Sequence, residues 1–263
     1  MPRQRTLNPV RPNVGIEAEY RRRLEAIIEE LHRSLQRWVL AAYRRETPEM
    51  AQDDSPARAL TAVMRRLFRR WQRRYDDLAP DLAKHFATTV AKRSDAALQL
   101  ALRRGGISVH FKMGRAANDV LQATVQENVS LIRSIAQQHL AQVEQMVMRS
   151  VQSGRDLAYL NDALQHQLGV SKRRARLIAR DQNNKATAAI QRVRHTELGI
   201  AEAIWIHSGG GKHPRPSHVK AGRDRAKYSI SEGWYDPDER KRIWPGELIN
   251  CRCVARPVVI GFA

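Results

Sequence analysis

Trp244-Pro245-Gly246-Glu247-Leu248-Ile249-Asn250-Cys251-Arg252-Cys253 decides the fold class when read with Ala203-Ile204-Trp205-Ile206-His207 and Pro214-Arg215-Pro216-Ser217-His218 upstream of it. Prolines, glycines and short β-like runs replace helical periodicity after Gly199, so residues 200–263 read as a small β-containing module. Its last strand alternates Cys251, Cys253 and Ala255 with Arg252, Val254 and Arg256. A period of two turns both thiols to one face. Trp205, Trp234 and Trp244 all fall in this module, where a thin core needs large apolar groups, so packing is their first role.

Working toward the N-terminus, the periodicity is helical. Residues 1–14, with Pro2, Pro9, Pro12 and several arginines, read as a flexible basic arm. A helix is predicted from Ile16 to about Arg45, and a second starting at Pro56 with Ser55 as N-cap. In that second helix Leu60, Val63, Met64, Leu67, Phe68, Trp71, Tyr75 and Leu78 form one apolar face, and Arg65, Arg66, Arg69, Arg70, Arg73 and Arg74 take the opposite arc. Read as lacking acidic partners at i+4, the six arginines repel one another; they are either a solvated face or a surface for an acidic protein or nucleic acid.

Further helices are predicted over Asp81–Arg103, ending at Gly105-Gly106, and from about Ala116 to Val151, broken by Gly154. A short helix over Asp156–Leu168 is predicted to stop at Gly169, and another, N-capped by Ser171, to run to Leu198 and stop at Gly199. The fold class is therefore α+β, with a predominantly helical N-terminal two-thirds. The expected division is an arm (1–14), an N-terminal helical region (15–112), a long-helix region (113–199) and the β-containing module (200–263).

At 263 residues with 42% hydrophobic content the chain can bury a real core. No run approaches eighteen consecutive apolar residues and the basic N-terminus has no apolar segment behind it, so neither a membrane span nor a secretory signal is expected. Two cysteines one residue apart cannot build a disulfide framework, which points to a reducing compartment. Formal charge is +19, spread as +6 over residues 1–78, +9 over 79–199 and +4 over 200–263. Polyanions are thus the first partners to consider, without a detachable nucleic-acid arm.

The C-terminal elements resemble the signature of the Mu F-like minor head proteins of tailed bacteriophages: a Trp-bearing strand (Trp205), Arg-x-x-His (Arg215 and His218), Pro-Gly (Pro245 and Gly246) and Asn-Cys-Arg-Cys (Cys251 and Cys253). Gly169-Val170-Ser171 followed by Ile178-Ala179-Arg180-Asp181-Gln182 is similar to the family's upstream helix, and Glu197-Leu198-Gly199-Ile200 to its link into the Trp strand. The resemblance spans roughly residues 120 to 260, the scale of one domain. The aspartate common a few residues before that arginine has no counterpart here. Arg180 and Asp181 read either as helix surface or as a pair fixing their helix against the terminal module.

His218, Cys251 and Cys253, with His207 or His213 as a fourth, are a ligand set suited to tetrahedral zinc. Small apolar cysteines facing a core explain the same alternation, and both readings stay open. A hydrolytic site around His218 and Asp224 lacks paired carboxylates or a metal-binding Glu/His motif, and Gly209-Gly210-Gly211-Lys212 is not a phosphate loop. No catalytic residue is assigned and no enzyme activity is expected.

The resemblance implies a minor capsid, head morphogenesis protein of a phage or prophage, in the host cytoplasm during assembly and then in the virion head. Its implied partners are the portal protein, major capsid or scaffold proteins and, non-specifically, phage DNA, with no membrane. Two other classes are weighed against it: a nucleic-acid-acting effector or nuclease using the His/Cys cluster, and a non-enzymatic DNA-binding protein. The sequence runs only ten residues past Cys253, so no C-terminal toxin is expected; no helix-turn-helix or RNA-binding pattern stands out.

Overall fold

The computed structural model describes residues 4–45, 56–154 and 156–260. Four long helices, α1 (Val14–Arg45), α2 (Pro56–Arg104), α3 (Arg115–Gln152) and α4 (Leu157–Glu197), precede a C-terminal region of short strands and one short helix. The class is α+β. The chain forms two compact units, one of residues 18–83 and 126–179, the other of residues 1–17, 84–125 and 180–263.

The first unit is all-helical. Tyr20, Leu24, Ile28, Leu31, Leu35, Val39 and Tyr43 of α1 recur at three- and four-residue steps and are buried, as an inward apolar stripe requires. They share the core with Leu60, Met64, Leu67, Trp71 and Tyr75 of α2, with Ile132, Ala136, Leu140, Val143 and Val147 of α3, and with Leu160, Leu164 and Ala175 of α4. Two of the polar groups inside bond across helices: Trp71 Nε1 donates to Ser34 Oγ at 3.0 Å and the Tyr20 hydroxyl to Asn128 at 2.9 Å.

Two predicted breaks are absent. α2 runs through Pro80 as one helix of 49 residues, although proline inside a helix is disfavoured by about 3 kcal/mol. Tyr75 and Ala79 before it and Leu82 and Ala83 after it are buried, and that continuous apolar face outweighs the local penalty. α4 likewise continues through Gly169. Ser171 does not cap a helix there; its buried hydroxyl meets His139 Nδ1 at 2.8 Å and accepts from Gln167 Nε2 at 3.3 Å. The predicted Ser55 cap and the interruption before it lie outside the described residues.

The second unit carries an antiparallel sheet of β1 (Gln4–Thr6), β2 (Glu202–Ile206), β3 (Lys227–Ser229) and β6 (Val254–Ile260) in the order β1-β6-β2-β3. A separate hairpin joins β4 (Trp234–Asp236) to β5 (Lys241–Ile243), and α5 (Pro216–Arg223) lies between β2 and β3 in the chain. Residues 4–6, expected in a flexible arm, instead pair with β6, Arg5 opposite Val259. The backbone donors and acceptors of β6 and the burial of Leu7 hold them there. Asn13 caps α1, its side-chain oxygen accepting from the Gly15 and Ile16 amides at 2.9 and 3.2 Å.

α4 ends where predicted. Gly199 takes φ +69°, and the Ile200 and Gly199 amides bond back to the His195 and Thr196 carbonyls at 2.9 and 3.0 Å, the paired closure that needs a left-handed residue. The chain then enters β2, where Ala203 and Trp205 face inward. Trp205 is fully buried, its ring 5.1 Å from Trp234 and 6.2 Å from Tyr228. Around it pack Ile200, Ala221, Ile230, Ile243, Cys251 and Cys253.

Candidate functional site

α5 aims the first functional side chain. Arg215 is its N-cap in extended conformation and Pro216 its first residue, the position where a missing N–H is harmless. The helix buries Ser217, His218 and Ala221. A Cβ on Gly222 would stand 2.3 Å from the His207 Cβ, so only glycine lets α5 lie this close to the chain leaving β2.

The two cysteines come from a segment fixed on both sides. Trp244 to Glu247 is a turn closed by the Glu247 amide on the Trp244 carbonyl at 3.2 Å, with Pro245 and Gly246 central; Gly246 has φ +86°, the type II pattern. Asn250 is also left-handed, at φ 59°, and its amide donates to Asp181 Oδ1 of α4 at 2.6 Å. Asn184 Nδ2, one turn on, donates to the Cys251 carbonyl at 3.0 Å, and Arg215 reaches the Ile249 carbonyl at 3.3 Å. Asp181 is buried and also pairs with Lys185 at 3.0 Å, while Arg180 is half-buried.

His218, Cys251 and Cys253, all buried, bring their ligand atoms within 4.8 Å of one another. His218 Nδ1 is 3.5 Å from Cys251 Sγ and 3.8 Å from Cys253 Sγ. On the other side of the ring, Nε2 is 3.2 Å from Oδ2 of Asp236, a fully buried carboxylate at the end of β4. Asp236 is itself held, its Oδ1 accepting from the Asp238 amide at 3.0 Å, and Asp238 accepts from the Ser217 amide at 3.2 Å. The Trp205 ring stands edge-on to His218 at 4.9 Å.

The two thiols are pushed in opposite directions by their contact. Cys251 is pushed well below the ordinary thiol range by a hydrogen bond from Cys253, with His218 and the Cys253 and Gly246 amides adding to it against burial. Cys253 is pushed up by that same bond, by burial and by the adjacent charge. A pair of this kind, beside an imidazole, is a ready donor to a soft cation.

The other residues singled out by sequence are distributed as follows. His207 and His213 line a cleft of about 170 Å³ with His218, Cys251 and Cys253, but they are not among the converging ligand atoms. Asp224 is exposed and pairs with Arg223 at 3.1 Å, away from His218 in role: it caps α5. Arg65, Arg66, Arg69, Arg70, Arg73 and Arg74 are all exposed along α2. They are not all uncompensated. Arg74 pairs with Glu30 of α1, and Asp77 stands four residues after Arg73 and lines a shallow concavity with it, Arg70 and Arg74.

Asp236 and Asn184 were not singled out from the sequence. The first lies on a three-residue strand with no motif of its own, eighteen residues from the histidine it orients; the second ends the run Gln182-Asn183-Asn184 in α4. For Asn184 the only signal is its place one turn after Asp181 on the same helix.

The family described as Phage Mu protein F like protein matches residues 141–256. Through this segment the chain is similar to the Mu F-like family. The matched segment contains Asp181, Asn184 and Asn250 together with His218, Asp236, Cys251 and Cys253. An uncharacterized protein of Haemophilus influenzae (strain ATCC 51907 / DSM 11121 / KW20 / Rd) is 28% identical over 269 aligned residues, covering 98% of this chain. The chain spans 56% of that relative's length. No solved structure matches it significantly. Among the described residues no helix is long and apolar enough to cross a membrane.

Proposed function

We propose that this Mu F-like protein is a minor capsid protein acting in phage or prophage head morphogenesis, docking at the portal as the procapsid forms. The family match over residues 141–256 carries the reading. Its motif residues support a binding rather than a turnover role. Asp181, Pro245, Gly246 and Asn250 are spent on holding a short terminal segment in one conformation. Interruption of the gene, complemented in trans, tests the reading: particles made without the protein should be reduced in number or fail to package DNA. Normal yields of filled heads from the interrupted strain would contradict it.

Contact with packaged DNA is the second part of the proposal, supported by the net charge of +19 and the exposed arginines of α2. Phosphate neutralisation by such a face is independent of sequence and steeply dependent on salt. Replacing Arg66, Arg70 and Arg74 by glutamine retains helix propensity and should lower the salt slope of DNA binding by roughly one unit per lost phosphate contact. An unchanged slope with impaired head assembly would assign the face to an acidic protein instead. Thiol chemistry by Cys251 with His218 and Asp236 is the competing use of the cluster, favoured by the imidazole standing between thiol and carboxylate.

A further inference from the structure

We infer that His218, Cys251 and Cys253 bind a zinc ion, with Asp236 as the residue that positions the histidine and the fourth coordination position facing the cleft of His207 and His213. The spacing is the first support. A tetrahedral ion with bonds of about 2.3 Å to sulfur and about 2.1 Å to nitrogen sets its N and S ligands about 3.6 Å apart. The observed separations are 3.5 and 3.8 Å. One imidazole nitrogen has a single lone pair or a single proton, so near-equal approach to two sulfurs is poorly explained by a hydrogen bond to either and well explained by a shared cation.

The tautomer points the same way. Asp236 Oδ2 at 3.2 Å accepts from Nε2, and Oδ1 is already occupied by the Asp238 amide. A neutral His218 therefore carries its proton on Nε2 and presents the Nδ1 lone pair to the sulfurs, the carboxylate–histidine–metal arrangement that fixes ring orientation and raises ligand basicity. The three ligands and Asp236 come from three separate pieces of chain: α5, the Cys segment and β4. One ion would join them, in a module whose strands are mostly three residues long, where a metal adds the cross-link that a small core lacks.

The test uses the full chain, purified with reductant and without chelator. Elemental analysis should find about one zinc per chain. Replacement by Co²⁺ should give the intense visible bands of a four-coordinate ion together with sulfur-to-cobalt charge transfer, a readout that does not depend on any variant folding. The double variant Cys251→Ser, Cys253→Ser should lose both metal and spectrum. Asp236→Asn should keep the cobalt spectrum at saturating metal while weakening zinc affinity about 10- to 100-fold. A chain that holds no zinc and leaves the Co²⁺ spectrum that of the hydrated ion would overturn the site. Unchanged affinity in Asp236→Asn would overturn the positioning role.

Discussion

Acidification should loosen the all-helical unit by way of His139. Its ring, in α3, is fully buried with Nδ1 on Ser171 Oγ at 2.8 Å, and Nε2 has no hydrogen-bond partner among the described residues. His32 lies edge-on at 6.0 Å and is equally buried, with Lys172, itself paired to Glu29, adding positive charge nearby. Burial first, and the His32 charge second, hold His139 down at about 4 from an ordinary 6.5. The folded state thus binds the proton more weakly than the unfolded chain. Stability is full above about pH 6.5, falls by about 1.4 kcal/mol per pH unit below it, and the loss is complete once the pH passes below about 4. The whole window is worth about 3 kcal/mol, of which about 2 kcal/mol is gone by pH 5. Native-state hydrogen exchange at α3 amides flanking residue 139, corrected for intrinsic rates, reads this opening energy between pH 8 and pH 5. His139→Leu should flatten the dependence by about one proton relative to the parent chain. Equal slopes in the two proteins would refute the assignment.

Other perturbations have definite outcomes. Trp205→Ala removes the largest fully buried side chain and should cost about 3–5 kcal/mol in the sheet-bearing unit by urea denaturation. Arg194, 2% exposed, donates to both Asp95 oxygens at 2.9 and 2.8 Å, to Glu197 at 2.7 Å and to the Lys112 carbonyl at 2.9 Å. Arg194→Met should cost about 2–3 kcal/mol, less than for a fully buried pair because Glu197 is partly wet, and increase exchange at amides 107–114. Gly246→Ala forces a side chain into φ +86° with its Cβ 2.9 Å from that of Ala188, so the melting temperature should fall by several degrees and Cys251 and Cys253 should react faster with a thiol reagent.

The α+β division was legible because its signals are local. Helical periodicity stops at Gly199, and the glycine that ends α4 does so by a conformation that few other residues adopt. Pro80 and Gly169 misled for the same reason: each is a local breaker inside a helix whose burial comes from elsewhere in the fold. β1 was hidden because a three-residue strand gains its meaning from β6, about 250 residues away. In the site, the Cys-x-Cys alternation correctly turned both thiols to one side, although Cys251 and Cys253 precede β6 rather than lie in it. Asp236 could not be read, since a lone carboxylate acquires its role only when the hairpin folds over His218. Carboxylates do reach α5, from β4 and the turn after it, where Asp236 meets His218 and Asp238 accepts from the Ser217 amide.

Quantitative mass spectrometry of purified procapsids and mature virions, induced from a strain that carries the gene, tests the head-protein reading most directly. The chain should be found in procapsids at a few copies per portal ring, far below the major capsid protein, in proportion to portal content. Absence of the chain from both particles would contradict it.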